Sequence, residues 1–276
     1  MAEKPRDLLA LTDLGRDDMI GLIDHAIRLK DQTRAGACPR PMFGKMAGLI
    51  FHKPSLRTRI SFEVGVHHLG GDAMFITDKE IQLGARESIA DVGRVLSRYL
   101  RIIVIRTYHQ SDIEELAHWM DAPVINALTD LLHPCQIFCD LMTIKEKLER
   151  IEHLKIAYLG DGNNIARSWI NAANMLGIDL WIATSTDTHP GEEFVKKASN
   201  GAKGRITITD DPSAAVKNAD VLYTDVWASM GEKKEVENRM KLLEQFRIDA
   251  ALLSQAKPSA IVMHCLPAER GREITD

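Results

Sequence analysis

The 276-residue sequence has no long apolar run; its longest strings resemble Ile102–Ile105, far short of the ~18 residues a membrane span needs. It has no basic excess either. Thirty-five Lys and Arg stand against 39 Asp and Glu, a formal charge of −4 with a pI near 6.2. That balance argues against a protein that coats nucleic acid or lies on a membrane surface. The opening MAEKPRDLLALTD mixes charges with Leu and lacks a signal peptide's apolar stretch and cleavage site, so the cytoplasm is the expected compartment. Four cysteines (Cys38, Cys135, Cys139, Cys265) are scattered and make no disulfide framework. Cys135 and Cys139 sit four apart, as two ligands on one helical face could, but no second pair joins them and they read as small buried residues. Internal repeats, low-complexity tracts and Pro/Gly-rich linkers are missing as well.

What is present is 45% hydrophobic and 27% charged residues, the composition of a globular protein with a real core. At ~150 residues per domain the length corresponds to about two domains. Short β-rich runs alternate with helical patterns from end to end. The strand candidates are Gly48–Phe51, Ala73–Thr77, Ile102–Arg106, Pro123–Asn126, Ile156–Gly160, Leu180–Thr184, Ile206–Thr209, Val221–Asp225 and Ala260–His264. Between them the apolar period is helical: Ile20, Ile23 and Ile27; Phe62, Val66 and Leu69; Ile89, Val92, Val95 and Tyr99; Ile165, Trp169, Ala172 and Leu176. Ser111 with Glu114 reads as a capping box, and Asp211-Pro212 as a helix start.

Fully apolar strands alternating with helices predict an α/β protein of two domains, each a parallel sheet flanked by helices. No linker marks the boundary. Pro134 opens a stripe of Ile137, Leu141, Ile144, Leu148 and Ile151 that runs straight into the second group of strands. The reading is therefore a long interdomain helix joining residues 1–136 to residues 137–276. Ligands of such sheets bind outside the carboxyl ends of the strands, so the chemistry is expected in the strand-end loops.

The strongest local signal is Ser55-Leu56-Arg57-Thr58-Arg59, between an apolar strand and a helix. Hydroxyls, guanidiniums and free N–H groups together suit a phosphate dianion, although an N-capping Ser before a solvated basic turn explains the run equally well. No Walker-type GxxxxGK[ST] implies a nucleoside triphosphate. Arg106 closes a strand and could bind charge or polarise a carbonyl; alone it reads as a surface ion-pair partner. His133-Pro134-Cys135-Gln136 lies at a helix mouth, where N–H groups and the dipole favour an anion.

Gly160-Asp161-Gly162-Asn163-Asn164 invites a dinucleotide reading, which fails because Ile165 replaces the third Gly and the next strand ends without a ribose-binding acid. Its two amides suit a small polar substrate instead. Asp225 could hold an ammonium group or cap a helix. His264-Cys265 puts a thiol at a strand tip, yet neighbours on a strand face opposite ways, so direct activation of Cys265 by His264 is disfavoured.

Taken together, S-x-R-T-R, the strand-end Arg, HPxQ, GDGNN, D-x-W-x-SMG and HCLP resemble the aspartate/ornithine carbamoyltransferase family, in family order along essentially the whole chain. The last three motifs point to its ornithine branch. The resemblance implies a carbamoyl-phosphate domain, an ornithine domain, a homotrimer, a role in arginine metabolism, and no metal or organic cofactor. It implies that Ser55, Leu56, Arg57, Thr58 and Arg106 cradle the phosphate, and that Arg106, Thr58 and His133 face the carbonyl oxygen. Gln136 and the backbone carbonyls of Cys265 and Leu266 would bind the carbamoyl NH2. Gln82, in the loop that also holds Arg86, would reach a neighbouring subunit's site. Asn164, Asp225, Ser229 and Met230 would bind the amino-acid end of ornithine, with Cys265 near its δ-nitrogen. Arg57, Arg106, His133 and Cys265 are the catalytic candidates.

Two departures stand out. Leu56 occupies a position where ornithine enzymes usually have Thr, a feature shared with acylornithine carbamoyltransferases. The family pattern also continues for a helix or two beyond Asp276, with another carbamoyl-phosphate arginine. Competing readings are transfer to an acylated ornithine or to putrescine, a non-catalytic carbamoyltransferase-like binding subunit and, more distantly, a dehydrogenase.

Overall fold

The computed structural model describes residues 6–81, 83–84, 86–201, 203–227 and 233–276. The chain divides into two compact units, Met1–Phe138 and Cys139–Asp276. In the first, α1 (Arg16–Arg34) precedes β1 (Met46–Phe51), α2 (Leu56–His68), β2 (Asp72–Thr77), α3 (Asp78–Ile81), α4 (Ile89–Leu96), β3 (Ile102–Arg106), α5 (Gln110–Trp119) and β4 (Val124–Leu128). The helix α6 (Pro134–Leu148) contains the point of division. In the second follow β5 (Lys155–Leu159), α7 (Asn164–Leu176), β6 (Asp179–Ala183), α8 (Glu192–Ser199), β7 (Arg205–Thr209), α9 (Pro212–Val216), β8 (Val221–Thr224), α10 (Lys233–Leu243), α11 (Ala250–Leu253) and β9 (Ile261–His264).

Both sheets are parallel throughout, in the orders β2-β1-β3-β4 and β7-β6-β5-β8-β9. Alternate residues of the central strands enter opposite layers. Ile50, Ile103 and Ile105 pack with the α4 and α5 residues Val92 and Leu116, whereas Leu49, Phe51 and Val104 pack on the other side with Phe62 of α2. Such double coverage is why the strands read as continuous apolar runs. In the second sheet Ala157 and Leu159 face Val216, Phe246 and Leu252. Tyr158 and Tyr223 are buried among themselves and Trp169 of α7.

Each sheet reverses its winding once, between β1 and β3 and between β5 and β8. The crevice outside the carboxyl ends at such a point is where ligands of open α/β sheets bind. The loops at these tips are Ser55–Thr58 and Arg106 in one unit, and Gly160–Asn164 and Asp225 in the other.

The helix starts are mostly those the sequence announces. Asp211 accepts from the Ala214 N–H ahead of Pro212 in α9. The capping box expected from Ser111 and Glu114 does not form: α5 begins at Gln110, behind His109, which makes no side-chain cap bond. Gln110 is drawn into the helix by its own tertiary bonds, accepting from Thr129 Oγ1 at 2.8 Å and donating to the Leu9 carbonyl at 3.4 Å.

Candidate active site

In the first unit, the turn after β1 becomes the first turn of α2. Ser55 is its N-cap with extended backbone, so the N–H groups of Leu56, Arg57 and Thr58 have no partner inside the helix. Leu56 is 74% exposed and its side chain is apolar, so its N–H is the hydrogen-bond donor this residue presents at the turn. Ser55 Oγ donates to Thr58 Oγ1 at 2.9 Å, and Arg106 Nη1 reaches the same oxygen at 3.5 Å. A hydroxyl that already accepts twice has its own proton left to give.

Arg106, at the end of β3, is tied to the neighbouring strand tip because the His52 N–H donates to its carbonyl at 2.9 Å. Its buried Nε finds no hydrogen-bond partner, and its guanidinium makes no carboxylate pair among the described residues. Burial, and then the charge of Arg57, lowers its affinity for its proton. His133 stands before α6 with Pro134 at the first helical position and Gln136 two residues further on. Burial, and then the charge of Arg106, holds the His133 pKa down to about 3, so the ring is a neutral donor or acceptor at physiological pH. Two guanidiniums, a neutral imidazole, two hydroxyls and a helix N-terminus thus collect at one strand switch point, with positive charge repelling positive charge. Such an arrangement suits an anion.

In the second unit, Asp225 follows β8 and is buried. Its Oδ2 accepts from Asn163 Nδ2 at 2.9 Å; its Oδ1 accepts from the Cys265 thiol and from the Val226 N–H, both at 2.8 Å. Burial chiefly raises its pKa, against the opposing hydrogen bonds. Burial and then the Asp225 charge push the Cys265 thiol well above its usual range, so Cys265 is a protonated donor and not a thiolate nucleophile. Asn163 also caps α7, accepting from the Ile165 and Ala166 N–H groups. Its amide is therefore engaged at both ends, and of the two asparagines expected to face substrate only Asn164 is not used as the cap.

The glycines of this turn serve packing. A Cβ on Gly160, at φ +125°, would lie 2.7 Å from Trp227 Nε1, and one on Gly162 would lie 2.3 Å from the Thr188 carbonyl oxygen. Asp161 between them pairs with Arg239 of α10 at 3.5 Å, and burial first of all raises its pKa to about 6.

Leu266 takes a left-handed backbone, φ +60°, and its N–H donates to His264 Nδ1 at 2.8 Å. His264 Nε2 then carries the proton and donates to Glu273 Oε1 at 3.1 Å. Asp225, His264 and Cys265 bring three possible metal-binding atoms within 4.8 Å of one another. Both His264 nitrogens and both Asp225 oxygens already have hydrogen-bond partners, so a cation there would have to displace them. Gln82, Ser229 and Met230 lie outside the described residues.

Comparison with known proteins gives matches along nearly the whole chain. Residues 6–146 match the family described as aspartate/ornithine carbamoyltransferase, carbamoyl-P binding domain, and residues 152–276 match its Asp/Orn binding domain. The chain belongs to the aspartate/ornithine carbamoyltransferase family.

Among relatives named ornithine carbamoyltransferase, that of Syntrophus aciditrophicus is 50% identical over 270 residues, 98% of this chain and 89% of its own length. That of Methanoculleus marisnigri is 44% identical over 271 residues, 98% and 87% of the two chains. The solved structure of ornithine carbamoyltransferase from Pyrococcus furiosus superposes with a TM-score of 0.93 at 44% identity, covering 98% of this chain and 88% of that one. Within the carbamoyltransferase motifs, sequence reasoning missed Asp161 and Arg239, the Tyr223–Asp140 hydrogen bond of 2.8 Å, and the Glu273 anchor of His264. Each depends on pairing across the fold. The one local signal was the phenol of Tyr223 within the apolar strand β8.

Proposed function

We propose that this chain is an ornithine carbamoyltransferase, which moves the carbamoyl group of carbamoyl phosphate to the δ-amine of L-ornithine and releases L-citrulline and phosphate. The observation that carries the reading is the pair of guanidiniums, Arg57 and Arg106, set beside the hydroxyl of Thr58, with the buried Arg106 Nε lacking a hydrogen-bond partner, in a chain of this family.

The phosphate dianion is assigned to the N–H groups of Leu56, Arg57 and Thr58, the Ser55 and Thr58 hydroxyls, and the guanidiniums of Arg57 and Arg106. The carbonyl oxygen is assigned to Arg106, Thr58 and His133, where charge develops in the tetrahedral intermediate. Each such donor contributes about 3–4 kcal/mol when the oxyanion is its target. A neutral His133 suits the task, because it donates a hydrogen bond without adding a third positive charge beside Arg106 and Arg57. Gln136 and the carbonyls of Cys265 and Leu266 are assigned to the carbamoyl NH2; Gln82 joins the carbamoyl-phosphate set. Asn164, Asp225, Ser229 and Met230 are assigned to ornithine, whose δ-ammonium, with a lysine-like pKa of ~10.4, is the free amine in only about one molecule in a thousand near neutral pH. Transfer requires loss of that proton and alignment of nitrogen with the carbonyl carbon.

The same reading makes residues 1–136 the carbamoyl-phosphate domain and 137–276 the ornithine domain, places the protein in arginine metabolism in the cytoplasm, and makes it a homotrimer. An apolar stripe supports a subunit contact: Leu56, Ile60 and Val64 follow one another at i, i+4, i+8 on α2, at 74, 49 and 44% exposure, beside Met74 of edge strand β2 at 50%. The test is product analysis with carbamoyl phosphate and each of L-ornithine, N-acetylornithine and putrescine. Citrulline from ornithine at a rate far above the other two products supports the reading. A preference for another amine, or no phosphate release with any of them, ends it.

A further inference from the structure

Arg106 leaves the sheet where its strand is held unevenly. The register of β3 against β4 slips at this end: Ile105 faces Asn126 and Arg106 faces Leu128, so Ala127 is passed over. A bulge of this kind disrupts the ladder and re-aims the side chain beside it. Past the slip the Thr107 N–H donates to the Leu128 carbonyl at 3.0 Å. On the other side β1 pairs in register as far as Phe51 opposite Arg106. His52, the next residue, extends that hold in two ways. Its N–H donates to the Arg106 carbonyl at 2.9 Å, and its Nδ1 lies 2.8 Å from the hydroxyl oxygen of buried Thr107.

The surroundings fix the part the His52 ring plays. The side chain is 6% exposed, its Nε2 has no hydrogen-bond partner among the described residues, and Asp78 Oδ1, at the head of α3, stands 3.9 Å from that nitrogen. A carboxylate at that distance favours an N–H over a lone pair at Nε2, so Nδ1 accepts the Thr107 hydroxyl proton. Burial holds the ring below its ordinary pKa against the pull of Asp78 and Asp112, which keeps it neutral near pH 7.

We propose that His52 is a positioning residue for Arg106: by holding the Arg106 carbonyl and the Thr107 hydroxyl, it aims the guanidinium at Thr58 and at the anion beside it. Thr58 belongs to α2, and the 3.5 Å approach of Arg106 Nη1 to its hydroxyl is made by a long side chain whose reach depends on where its backbone starts. The proposal rests on the reading that Arg106 binds the phosphoryl group. His52 itself is assigned no substrate atom and acts through the strand end.

Two substitutions divide the ring between its nitrogens. Asn places an amide where Nδ1 stands and can still take the Thr107 proton, whereas Gln carries its amide one bond further, toward Asp78. The experiment compares His52→Asn, His52→Gln and Thr107→Val of the full chain, each also combined with Arg106→Met. Binding of inorganic phosphate is read by titration calorimetry, and folding by urea unfolding without ligand. His52→Gln and Thr107→Val are expected to weaken phosphate binding about fivefold, with His52→Asn within about twofold of the unmodified chain. On the Arg106→Met background the same changes should make no further difference, because the guanidinium they aim is gone. With ornithine as acceptor, kcat/KM for carbamoyl phosphate should fall in step with phosphate affinity.

Unweakened phosphate binding by His52→Gln, a loss in His52→Asn as large as in His52→Gln, or a loss that persists beside Arg106→Met would overturn the proposal. Should His52→Gln fail to fold, Thr107→Val breaks the same bond from its other end and decides on both backgrounds. If the unmodified chain binds phosphate but makes no citrulline, the ornithine reading fails by itself, and the phosphate series still decides the role of His52. No phosphate binding by the unmodified chain would end both.

Discussion

Replacing Arg106 with Met separates a residue that serves the fold from one that serves a ligand. Met keeps the aliphatic stem and removes the guanidinium. Among the described residues that guanidinium has one long bond, 3.5 Å to Thr58, a buried Nε without a partner, and Arg57 as a repelling neighbour. Removing one member of a matched buried ion pair costs ~3–5 kcal/mol. Among the described residues there is no matched charge to strand, so Arg106→Met is expected to leave ligand-free stability within about 1 kcal/mol, on the favourable side if anything.

With a phosphoryl ligand the sign reverses. Two charge-assisted hydrogen bonds at ~1.5–3 kcal/mol each make ~3–6 kcal/mol, or about 10²–10⁴ in kcat/KM. Urea unfolding with and without inorganic phosphate measures both halves. At a hundredfold excess over its Kd, phosphate should stabilise the unmodified protein by about 2.7 kcal/mol and the variant by less than half of that. A variant that loses more than 2 kcal/mol without phosphate, or that keeps the full phosphate effect, would refute the assignment of Arg106 to an anion.

Three further outcomes follow from the same kind of reasoning. His133 has a folded-state pKa of about 3 against 6.5 unfolded, so its contribution is complete above pH 6.5 and is lost as pH falls below it. Between pH 6.5 and 5 that is about 2 kcal/mol, and His133→Gln should remove it from a comparison of urea midpoints at the two pH values. Asp161 has the opposite sign, since a pKa raised to about 6 means that stability declines as pH rises from ~3.9 through 6. Asp161→Asn should therefore gain about 1–3 kcal/mol at pH 7 and almost nothing at pH 4; equal effects at both would contradict the cause given. Asp220 is bound by Arg150 at 2.8 Å, Lys257 at 2.7 Å and the Lys155 N–H at 2.9 Å. Asp220→Asn should cost about 2–4 kcal/mol, less than the largest buried-pair losses because both cations can return to water; an unchanged melting curve would count against that network.

The nine strands among the described residues were legible in the sequence, the central ones because coverage on both faces leaves an apolar run between polar turns, the edge strands β2, β7 and β9 by their β-rich composition alone. The apolar stripe of α7 was legible, with Ile165, Trp169, Ala172 and Leu176 all buried, but it did not show that Ser168, Ile170, Asn171 and Ala173 beside it are buried too. The stripe Ile89, Val92, Val95, Tyr99 was half right. α4 ends at Leu96, and Val95 and Tyr99 are 54% and 76% exposed, since periodicity cannot show where a partner surface stops. In the site, the grouping of Ser55, Arg57, Thr58, Arg106 and His133 was readable because its members are neighbours in sequence or sit at strand ends. The Asp140–Tyr223 bond joins residues 83 positions apart, and the His264–Glu273 pair depends on a turn that no local pattern specifies. Asn163 was legible as a polar residue but not as a helix cap already occupied.

The exposure of the apolar Leu56 means, on the proposed reading, that one letter of the most recognisable motif offers the phosphoryl group nothing but its backbone. An amide hydrogen, which every residue but proline supplies, is all that this position lends to anion recognition. Natural drift at residue 56 would then be felt first by whatever packs against the outer surface of the helix. On the proposed reading, a sequence filter that demands Thr at that place would separate chains by a side chain that the phosphate site does not use.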